Sequence, residues 1–288
     1  MRNPMKLFGK RVLVTGAGSG IGLSTAREFA QRRSIPILVD INREALDTAL
    51  GELRSGGYEA HAFQADVTDI ERMRELSREL DERGLTPDVI VNVAGLTLIA
   101  HIRATTHEDW SRIIGVNVMG TVNTIDTFLP AMLERRSGHV VNVSSIDGII
   151  PIPGQAAYCA SKFAVTGMTE VLHYDLRHCG VGVTLVCPGY VDTPMAQSMP
   201  IRDMPLEFKG SGLVQSVFRF FSSQPERIAK HVAEAVAHDR FLVIPGFPSR
   251  MMYHYRRLFP RIATRSGIWT ARVFDVLRRW RKPKTCND

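Results

Sequence analysis

The stretch RVLVTGAGSGIG, residues 11–22, decides the fold because a short β-branched strand runs directly into a glycine-rich turn. An amphipathic helical pattern follows and continues through Phe29 and Ala30. Glycines in such a turn let backbone N–H groups approach a pyrophosphate, and the helix N-terminus favours the anion electrostatically. Taken alone the pattern is weak evidence, because any tight strand-to-helix turn uses the same residue types. The candidate phosphate-binding residues are Gly16, Ser19, Gly20, Ile21 and Gly22.

Six further strand-like runs alternate with helical patterns along the chain. They cover residues 35–40, 59–66, 89–94, 139–145, 181–187 and 240–245. Because the runs are apolar on both faces and helices separate them, they predict a parallel sheet covered on both sides. The predicted fold class is therefore α/β, a Rossmann-type doubly wound sheet of seven parallel strands with helices on both faces. Such sheets bind ligands at the carboxyl ends of their strands.

Composition predicts one globular domain followed by a basic tail. The 288 residues are 44% hydrophobic and 23% charged, which suits a domain with a substantial core. No linker divides residues 1–249, which we interpret as a dinucleotide-binding and catalytic domain with a lid at about 194–224. Residues 250–288 hold eleven Arg and Lys residues and two Asp residues, so their net charge is +9. The net charge of the whole chain is only +7. The body is therefore slightly acidic, which argues against nucleic-acid binding.

The chain shows no signal for export, membrane insertion or metal binding. Its first residues lack the apolar run of a secretory signal, and no uncharged apolar stretch reaches the roughly 20 residues that span a bilayer. We therefore expect a cytoplasmic protein. The four cysteines form no CxxC pair, so neither a disulfide framework nor a metal site is expected. They are Cys159, Cys179, Cys187 and Cys286.

Asp40 ends the second predicted strand, 24 positions after Gly16, where an acidic residue can bind the adenosine ribose hydroxyls of a dinucleotide. A carboxylate there would repel the 2′-phosphate of NADP, so NAD is the expected cofactor. Arg43 lies three residues further on and could bind that phosphate, which keeps NADP as the alternative.

Tyr158 and Lys162 are four residues apart in a helical pattern that continues to Arg177, which places phenol and ammonium on one helical face. A nearby ammonium favours the phenolate, so we expect Lys162 to lower the tyrosine pKa from about 10. Ser145 closes the fifth predicted strand, at the sheet edge where ligands bind, and its hydroxyl could hold a substrate oxygen. Alone, each feature has an ordinary structural explanation, an amphipathic surface or a turn cap.

Six motifs in order resemble the short-chain dehydrogenase/reductase family over roughly residues 9–245. They are TGAGSGIG (15–22), NVAG (92–95), Asn117, Ser145, YCASK (158–162) and Pro188-Gly189 with Thr193. The resemblance implies an NAD(P)-dependent oxidoreductase that interconverts a secondary or hydrophobic alcohol and its carbonyl by hydride transfer. The alternative is a noncatalytic NAD(P)-binding sensor or scaffold of the same fold. The resemblance also suggests a homodimer or homotetramer.

The same resemblance implies a catalytic tetrad. Tyr158 would exchange the proton with the substrate oxygen and Ser145 would polarise that oxygen. Lys162 would bind the nicotinamide ribose and Asn117 would hold a water. The implied cofactor contacts include Tyr158 and Lys162 together with Asp66, Val67, Asn92, Gly95, Pro188, Gly189, Val191 and Thr193. Val93 departs from the family pattern NNAG; we expect a local structural accommodation, with weaker cofactor affinity as the alternative.

The lid and the tail carry apolar residues whose partners the sequence leaves open. The lid residues suggest a pocket for a hydrophobic substrate, although simple packing explains them equally well. They are Met195, Met199, Met204, Leu206, Phe208, Leu213, Val217, Phe218, Phe220 and Phe221. In the tail, an apolar stripe runs beside Arg272, Arg278, Arg279, Arg281 and Lys282, and could lie in an anionic membrane interface, cover the pocket or contact another subunit. The stripe comprises Trp269, Val273, Val276, Leu277 and Trp280.

Overall fold

Seven parallel strands form the central sheet of this computed structural model, which describes residues 5–204 and 222–281. In chain order they are β1 (Arg11–Thr15), β2 (Ile35–Asp40), β3 (His61–Gln64), β4 (Val89–Asn92), β6 (Gly138–Val143), β7 (Val181–Val186) and β9 (Leu242–Val243). Their spatial order is β3-β2-β1-β4-β6-β7-β9, so the winding direction reverses between β1 and β4. The predicted doubly wound sheet of seven parallel strands is confirmed.

Helices connect the strands and cover both faces of the sheet. They are α1 (Gly20–Gln31), α2 (Arg43–Ser55), α3 (Ile70–Glu82), α4 (His107–Ile114), α5 (Gly120–Glu134), α6 (Ala156–Leu176), α7 (Pro194–Gln197), α8 (Pro225–Ala237), α9 (Phe247–Leu258) and α10 (Pro260–Arg281). Residues of α1, α2 and α8 share one apolar core with one face of the sheet. Residues of α3, α5 and α6 share a second core with the other face.

Strand β1 carries apolar side chains on both of its faces because helices cover both faces of the sheet. Val12 and Val14 are fully buried in the core with α1 and α8, whereas Leu13 is fully buried in the opposite core. Alternate side chains of a strand point to opposite faces, so a strand covered on both sides is apolar at every position. Burying each of these side chains contributes about 1.5–3 kcal/mol.

Several strands are shorter than the sequence pattern predicts. The predicted strand 59–66 is limited to β3, and 240–245 is limited to β9, an edge strand paired with β7 through Leu242 and Val243. The predicted strand 139–145 ends at Val143, so Ser145 lies in the following turn. A separate two-stranded parallel sheet of β5 (Ile99–Ala100) and β8 (Ile201–Arg202) was not predicted.

The predicted lid lies only partly within the described residues. Its described part contains α7 and β8, and Met195, Met199 and Met204 all border the central cavity. The other lid residues lie outside the part of the chain that the structure describes: Leu206, Phe208, Leu213, Val217, Phe218, Phe220 and Phe221.

The basic tail forms α9 and α10 in its described part, and α10 packs against the body. Arg278 donates a hydrogen bond to Asp203 (2.7 Å), which ties α10 to the end of β8, and another to Asp275 (3.1 Å) within the same helix. Trp269 and Val276, on the other side of the helix, are exposed. The side chains of residues 279–288, including Arg279, Trp280, Arg281 and Lys282, lie outside the described part. Within residues 5–204 and 222–281, every helix is too short or too polar to cross a bilayer.

Candidate active site

A cavity of about 1140 Å³ lies along the carboxyl edge of the sheet, beside the point where the winding direction reverses. This is the position at which doubly wound sheets bind ligands. Most of the residues predicted to bind a cofactor or substrate border it. They are Gly16, Ser19, Gly20, Ile21, Gly22, Asp40, Asp66, Val67, Gly95, Ser145, Tyr158, Pro188, Gly189, Val191 and Thr193.

Close packing of the glycine turn leaves no room for a side chain at Gly16 or Gly22. Gly16 has φ +65° and packs so closely on the next loop that a Cβ would lie 2.9 Å from Ala94 Cα. A Cβ on Gly22 would lie 2.0 Å from the carbonyl oxygen of Gly16. Ser19 is the N-cap of α1, and its side chain caps none of the N–H groups of that helix. Backbone donors at a helix N-terminus beside such a cradle fit the pyrophosphate of a dinucleotide.

Two acidic residues that border the cavity lie at or just after the carboxyl ends of β2 and β3. Asp40 accepts hydrogen bonds from the backbone N–H of Gly18 (2.9 Å) and of Asn42 (3.0 Å), which fixes its carboxylate beside the glycine turn. Arg43, the residue that could offset this charge, instead forms an exposed ion pair with Asp47 (3.0 Å). Asp66 accepts hydrogen bonds from the N–H and hydroxyl groups of Thr68, both at 2.8 Å.

Ser145 and Tyr158 face the same cavity from two different elements. Ser145 follows β6 and caps a short 3₁₀ turn, where its Oγ accepts a hydrogen bond from the N–H of Asp147 (3.1 Å). Tyr158 lies in the first turn of α6, and the Ser145 hydroxyl is close enough to favour its phenolate. Burial, followed by the nearby Asp147 carboxylate, has the larger effect and raises the pKa of the Tyr158 phenol.

Lys162 lies behind these two residues, 5% exposed, and does not border the cavity. Its Nζ donates a hydrogen bond to the carbonyl oxygen of Val143 (3.0 Å) and lies 5.8 Å from the centre of the Tyr158 ring. Burial lowers the pKa of the Lys162 ammonium to about 8. The expected lowering of the Tyr158 pKa is therefore wrong for this arrangement, because burial of the phenol outweighs any effect of a lysine at this distance.

Asn117 lies in a π-helical turn, Gly115–Met119, between α4 and α5. Such turns are frequent at functional sites. Its side-chain amide is buried and fully engaged: Oδ1 accepts from the N–H of Leu96 (2.7 Å), and Nδ2 donates to the carbonyl oxygen of Leu96 and to Ser161 Oγ, both at 2.9 Å. Asn117 thus holds the loop after β4 against α6, while its role in holding a water stays a prediction.

Asn92 also lies behind the cavity wall, where it links two strands. Its Nδ2 donates a hydrogen bond to Asn142 Oδ1 (2.8 Å), which ties β4 to β6. The loop that follows is held through its backbone, since Thr15 Oγ1 accepts hydrogen bonds from the N–H groups of Val93 (3.1 Å) and Ala94 (3.2 Å). The valine at position 93 is therefore accommodated without a side-chain hydrogen bond at that position.

Asp147 and Phe274 are among the cavity residues that sequence reasoning missed. Asp147, two residues after Ser145, is 9% exposed, and burial raises the pKa of its carboxyl to about 6. Its position directly after a strand end was a signal that could have been used. Phe274 of α10 also borders the cavity, yet it lies outside the apolar stripe on which the tail prediction rested. No sequence signal showed which side of α10 would pack against the body.

The family model described as short chain dehydrogenase matches residues 10–203 of this chain. The chain belongs to the short-chain dehydrogenase/reductase family. It is 38% identical over 196 residues to the 3-oxoacyl-acyl-carrier-protein reductase FabG of Thermotoga maritima, an alignment covering 68% of this chain and 80% of that protein.

Solved structures of this family share the fold over most of the chain. A short-chain dehydrogenase/reductase from Burkholderia phymatum in complex with NAD has a TM-score of 0.77 and 26% identity, covering 90% of this chain and 96% of that one. An actinorhodin polyketide ketoreductase with NADPH has a TM-score of 0.73 and 31% identity, covering 81% and 94% respectively. As a short-chain dehydrogenase/reductase, this chain is an oxidoreductase with a nucleotide-binding Rossmann fold.

Proposed function

We propose that this oxidoreductase interconverts a hydrophobic secondary alcohol and its carbonyl, with Tyr158 as the acid/base. The observation that carries the proposal is that Ser145 and Tyr158 border the same cavity as the glycine turn. The bound nicotinamide would accept or supply the hydride. The protein would supply the phenol, the polarising Ser145 hydroxyl and the positive charge of Lys162 behind them. Asn117 would hold the loop that shapes this end of the cavity.

The electrostatics of the site keep the Tyr158 phenol protonated. Because burial and Asp147 raise the pKa of the phenol, Tyr158 stays protonated near neutral pH. A protonated phenol suits proton transfer to a carbonyl oxygen, which is the step that carbonyl reduction needs. The same phenol would donate the proton in carbonyl reduction, and its conjugate base would accept it in alcohol oxidation.

The substrate end of the cavity supports a hydrophobic substrate. Apolar side chains border it from the loop after β4, from the lid and from the tail. They include Leu96, Ile99, Ile152, Met195, Met199, Met204, Met252 and Phe274. Flexible thioethers adapt to irregular apolar ligands, and a few polar groups then fix the ligand's orientation. Ser145 and Tyr158 are placed to supply that orientation.

NAD is the cofactor that we propose, because Asp40 is fixed beside the glycine turn and Arg43 is paired with Asp47. Replacing Asp40 with alanine removes the charge that opposes a 2′-phosphate, so we expect the ratio of kcat/KM for NAD to that for NADP to fall about tenfold or more. Steady-state rates with both cofactors would measure this ratio.

The matched control for Asp40→Ala is Glu44→Ala, which removes an exposed carboxylate from the first turn of α2. It should leave the ratio unchanged. An equal ratio in Asp40→Ala and the unsubstituted protein would show that Asp40 does not discriminate between the cofactors. A preference of the unsubstituted protein for NADP would overturn the choice of NAD.

We further propose that the protein forms a homodimer or homotetramer. Exposed apolar side chains lie along α6, where Phe163, Val171 and Tyr174 repeat at spacings that place them on one side of the helix. Such a stripe on the surface of a monomer fits contact with a second copy.

We also propose that α10 contacts anionic membranes from the periphery. Ile262, Trp269 and Val276 are each more than half exposed and repeat every seven residues on the side facing away from the cavity. Arg265 and Arg272 are exposed along the edge of this stripe. An apolar stripe with a basic edge fits the interface of an anionic bilayer, where each basic residue contributes about 1 kcal/mol.

Trp269→Glu should reduce recovery with anionic vesicles, because it places a carboxylate in the stripe that would enter the interface. We expect a fall of about threefold or more in flotation with phosphatidylcholine/phosphatidylserine vesicles. Phe8→Glu, at an exposed phenylalanine outside the tail, is the control and should float like the unsubstituted protein. Equal recovery of all three proteins would reject membrane contact through α10.

A further inference from the structure

Asp147 is a buried carboxyl for which the described residues provide too few partners. It lies in the 3₁₀ turn Ile146–Gly148 and borders the cavity. Its Oδ1 is buried and has no hydrogen-bond partner within residues 5–204 and 222–281. Leaving a buried carboxylate oxygen unpaired is costly, so native proteins rarely do so without a functional reason. This oxygen therefore points to a group outside the described residues.

The turn that carries Asp147 is fixed on both sides. The N–H groups of Asp147 and Gly148 donate to the side chain (3.1 Å) and the carbonyl oxygen (3.0 Å) of Ser145. A Cβ on Gly148 would lie 2.5 Å from Ser144 Oγ and 2.6 Å from the carbonyl oxygen of Lys162. The turn is therefore held between the end of β6 and α6, and the carboxyl stays beside Ser145.

The surroundings of Asp147 distinguish it from the other acids of the cavity. Among the described residues, Asp40 and Asp66 also border the cavity, but both accept backbone hydrogen bonds at the adenosine side. Asp147 instead lies with Ser145 and Tyr158, where the neighbouring cavity wall is largely apolar. Its carboxyl pKa of about 6 leaves it mainly ionised at neutral pH, so it acts there as a hydrogen-bond acceptor.

We propose that Asp147 binds a second hydroxyl group of the substrate, on the carbon next to the one that is oxidised or reduced. The inference rests on the proposed alcohol–carbonyl chemistry. Ser145 would hold the reacting oxygen, and the Asp147 carboxyl is close enough to the Ser145 side chain for a hydrogen bond. A hydroxyl on the carbon next to the reacting one is therefore the substrate donor that we assign to Asp147. The substrate is then an apolar vicinal diol or the corresponding α-hydroxy ketone, and not a simple alcohol.

Paired substrates that differ by one hydroxyl test this inference. The pairs are 1-phenylethanol with 1-phenyl-1,2-ethanediol, and 2-octanol with 1,2-octanediol, each assayed with NAD and with NADP. A hydrogen bond to a charged group is worth about tenfold to a hundredfold in kcat/KM, so the diols should be preferred by that factor. Asp147→Ala should remove this preference by raising KM for the diols relative to the simple alcohols. The readout is the ratio of kcat/KM for each diol to that for its simple alcohol, because loss of the carboxylate near Tyr158 also changes the rates with both substrates.

Two further variants separate substrate binding from a structural role. Asp147→Asn keeps an acceptor oxygen and should retain part of the preference for diols. Asp126→Ala, at an exposed carboxylate of α5, should behave like the unsubstituted protein. An equal loss on diols and simple alcohols in Asp147→Ala would show that Asp147 positions Ser145 instead, and the inference would be overturned.

A binding measurement keeps the inference separate from the proposed reaction. With NAD bound, the diol should raise the melting temperature of the Tyr158→Phe protein more than the simple alcohol does. The difference should vanish in the Asp147→Ala/Tyr158→Phe protein. If the diol binds selectively but the unsubstituted protein does not turn it over, the proposed alcohol–carbonyl chemistry is wrong and the role of Asp147 in binding the diol stands. Equal binding of diol and simple alcohol would overturn the role of Asp147, whatever the turnover.

Discussion

Replacing Tyr158 with phenylalanine is expected to lower kcat by about 10³-fold, because the substitution removes the group that exchanges a proton with the substrate oxygen. The aromatic ring is kept, and the hydrogen bond from Lys162 Nζ to Val143 does not involve the phenol oxygen. Cofactor affinity should therefore change less than about threefold. Rates followed by NADH absorbance and a fluorescence titration with NADH would measure the two quantities separately.

Tyr174→Phe provides the control for this prediction, since Tyr174 is an exposed tyrosine of the same helix. Its turnover should match that of the unsubstituted protein. Retained turnover in Tyr158→Phe would refute the assignment of Tyr158 as the acid/base. Tight NADH binding by a protein that turns over none of the alcohols or ketones tested would instead favour the noncatalytic sensor.

Replacing Gly22 with alanine is expected to weaken NADH binding by about a hundredfold. The added Cβ would lie 2.0 Å from the carbonyl oxygen of Gly16, a backbone atom, so the start of α1 must move away from the turn. Overpacking of this kind typically costs about 1–3 kcal/mol, and here the displaced groups are the backbone donors proposed to bind the pyrophosphate. The melting temperature should fall as well.

Gly51→Ala is the matched control for Gly22→Ala. Gly51 lies inside α2, where an added Cβ meets no atom within 4 Å. An alanine in a helix interior is more favourable than a glycine by about 0.5–1 kcal/mol, so this protein should bind NADH normally and melt slightly higher. A folded Gly22→Ala protein that binds NADH as tightly as the unsubstituted one would contradict the proposed cofactor site.

The sheet could be predicted from the sequence because its strands are apolar on both faces, as β1 shows with Val12, Leu13 and Val14. The cavity residues could be placed because the carboxyl ends of parallel strands meet at one edge. The strand-end position of Ser145, together with the family resemblance, predicted that Ser145 and Tyr158 face the same site. Very short strands contain too few residues to show an alternating hydrophobic pattern. Strands β5 and β8 have two residues each, and neither was predicted.

Properties that depend on tertiary packing could not be predicted. The spacing of Tyr158 and Lys162 indicated one helical face, but it did not reveal that the lysine donates to Val143 or that burial of the phenol dominates its pKa. The sequence did not single out Asp147, because its burial results from the turn packing against α6. In α10 the sequence showed an apolar stripe, whereas the helix packs with Phe274 towards the body.

Helix α10 presents Phe274 to the cavity and Trp269 to the outside. When this helix shifts as a rigid body, both side chains move together. A substrate that displaces the helix at Phe274 would therefore also change the affinity of the outer surface for its partner. Thermodynamic reciprocity then requires that occupation of the outer surface alter substrate affinity by the same factor.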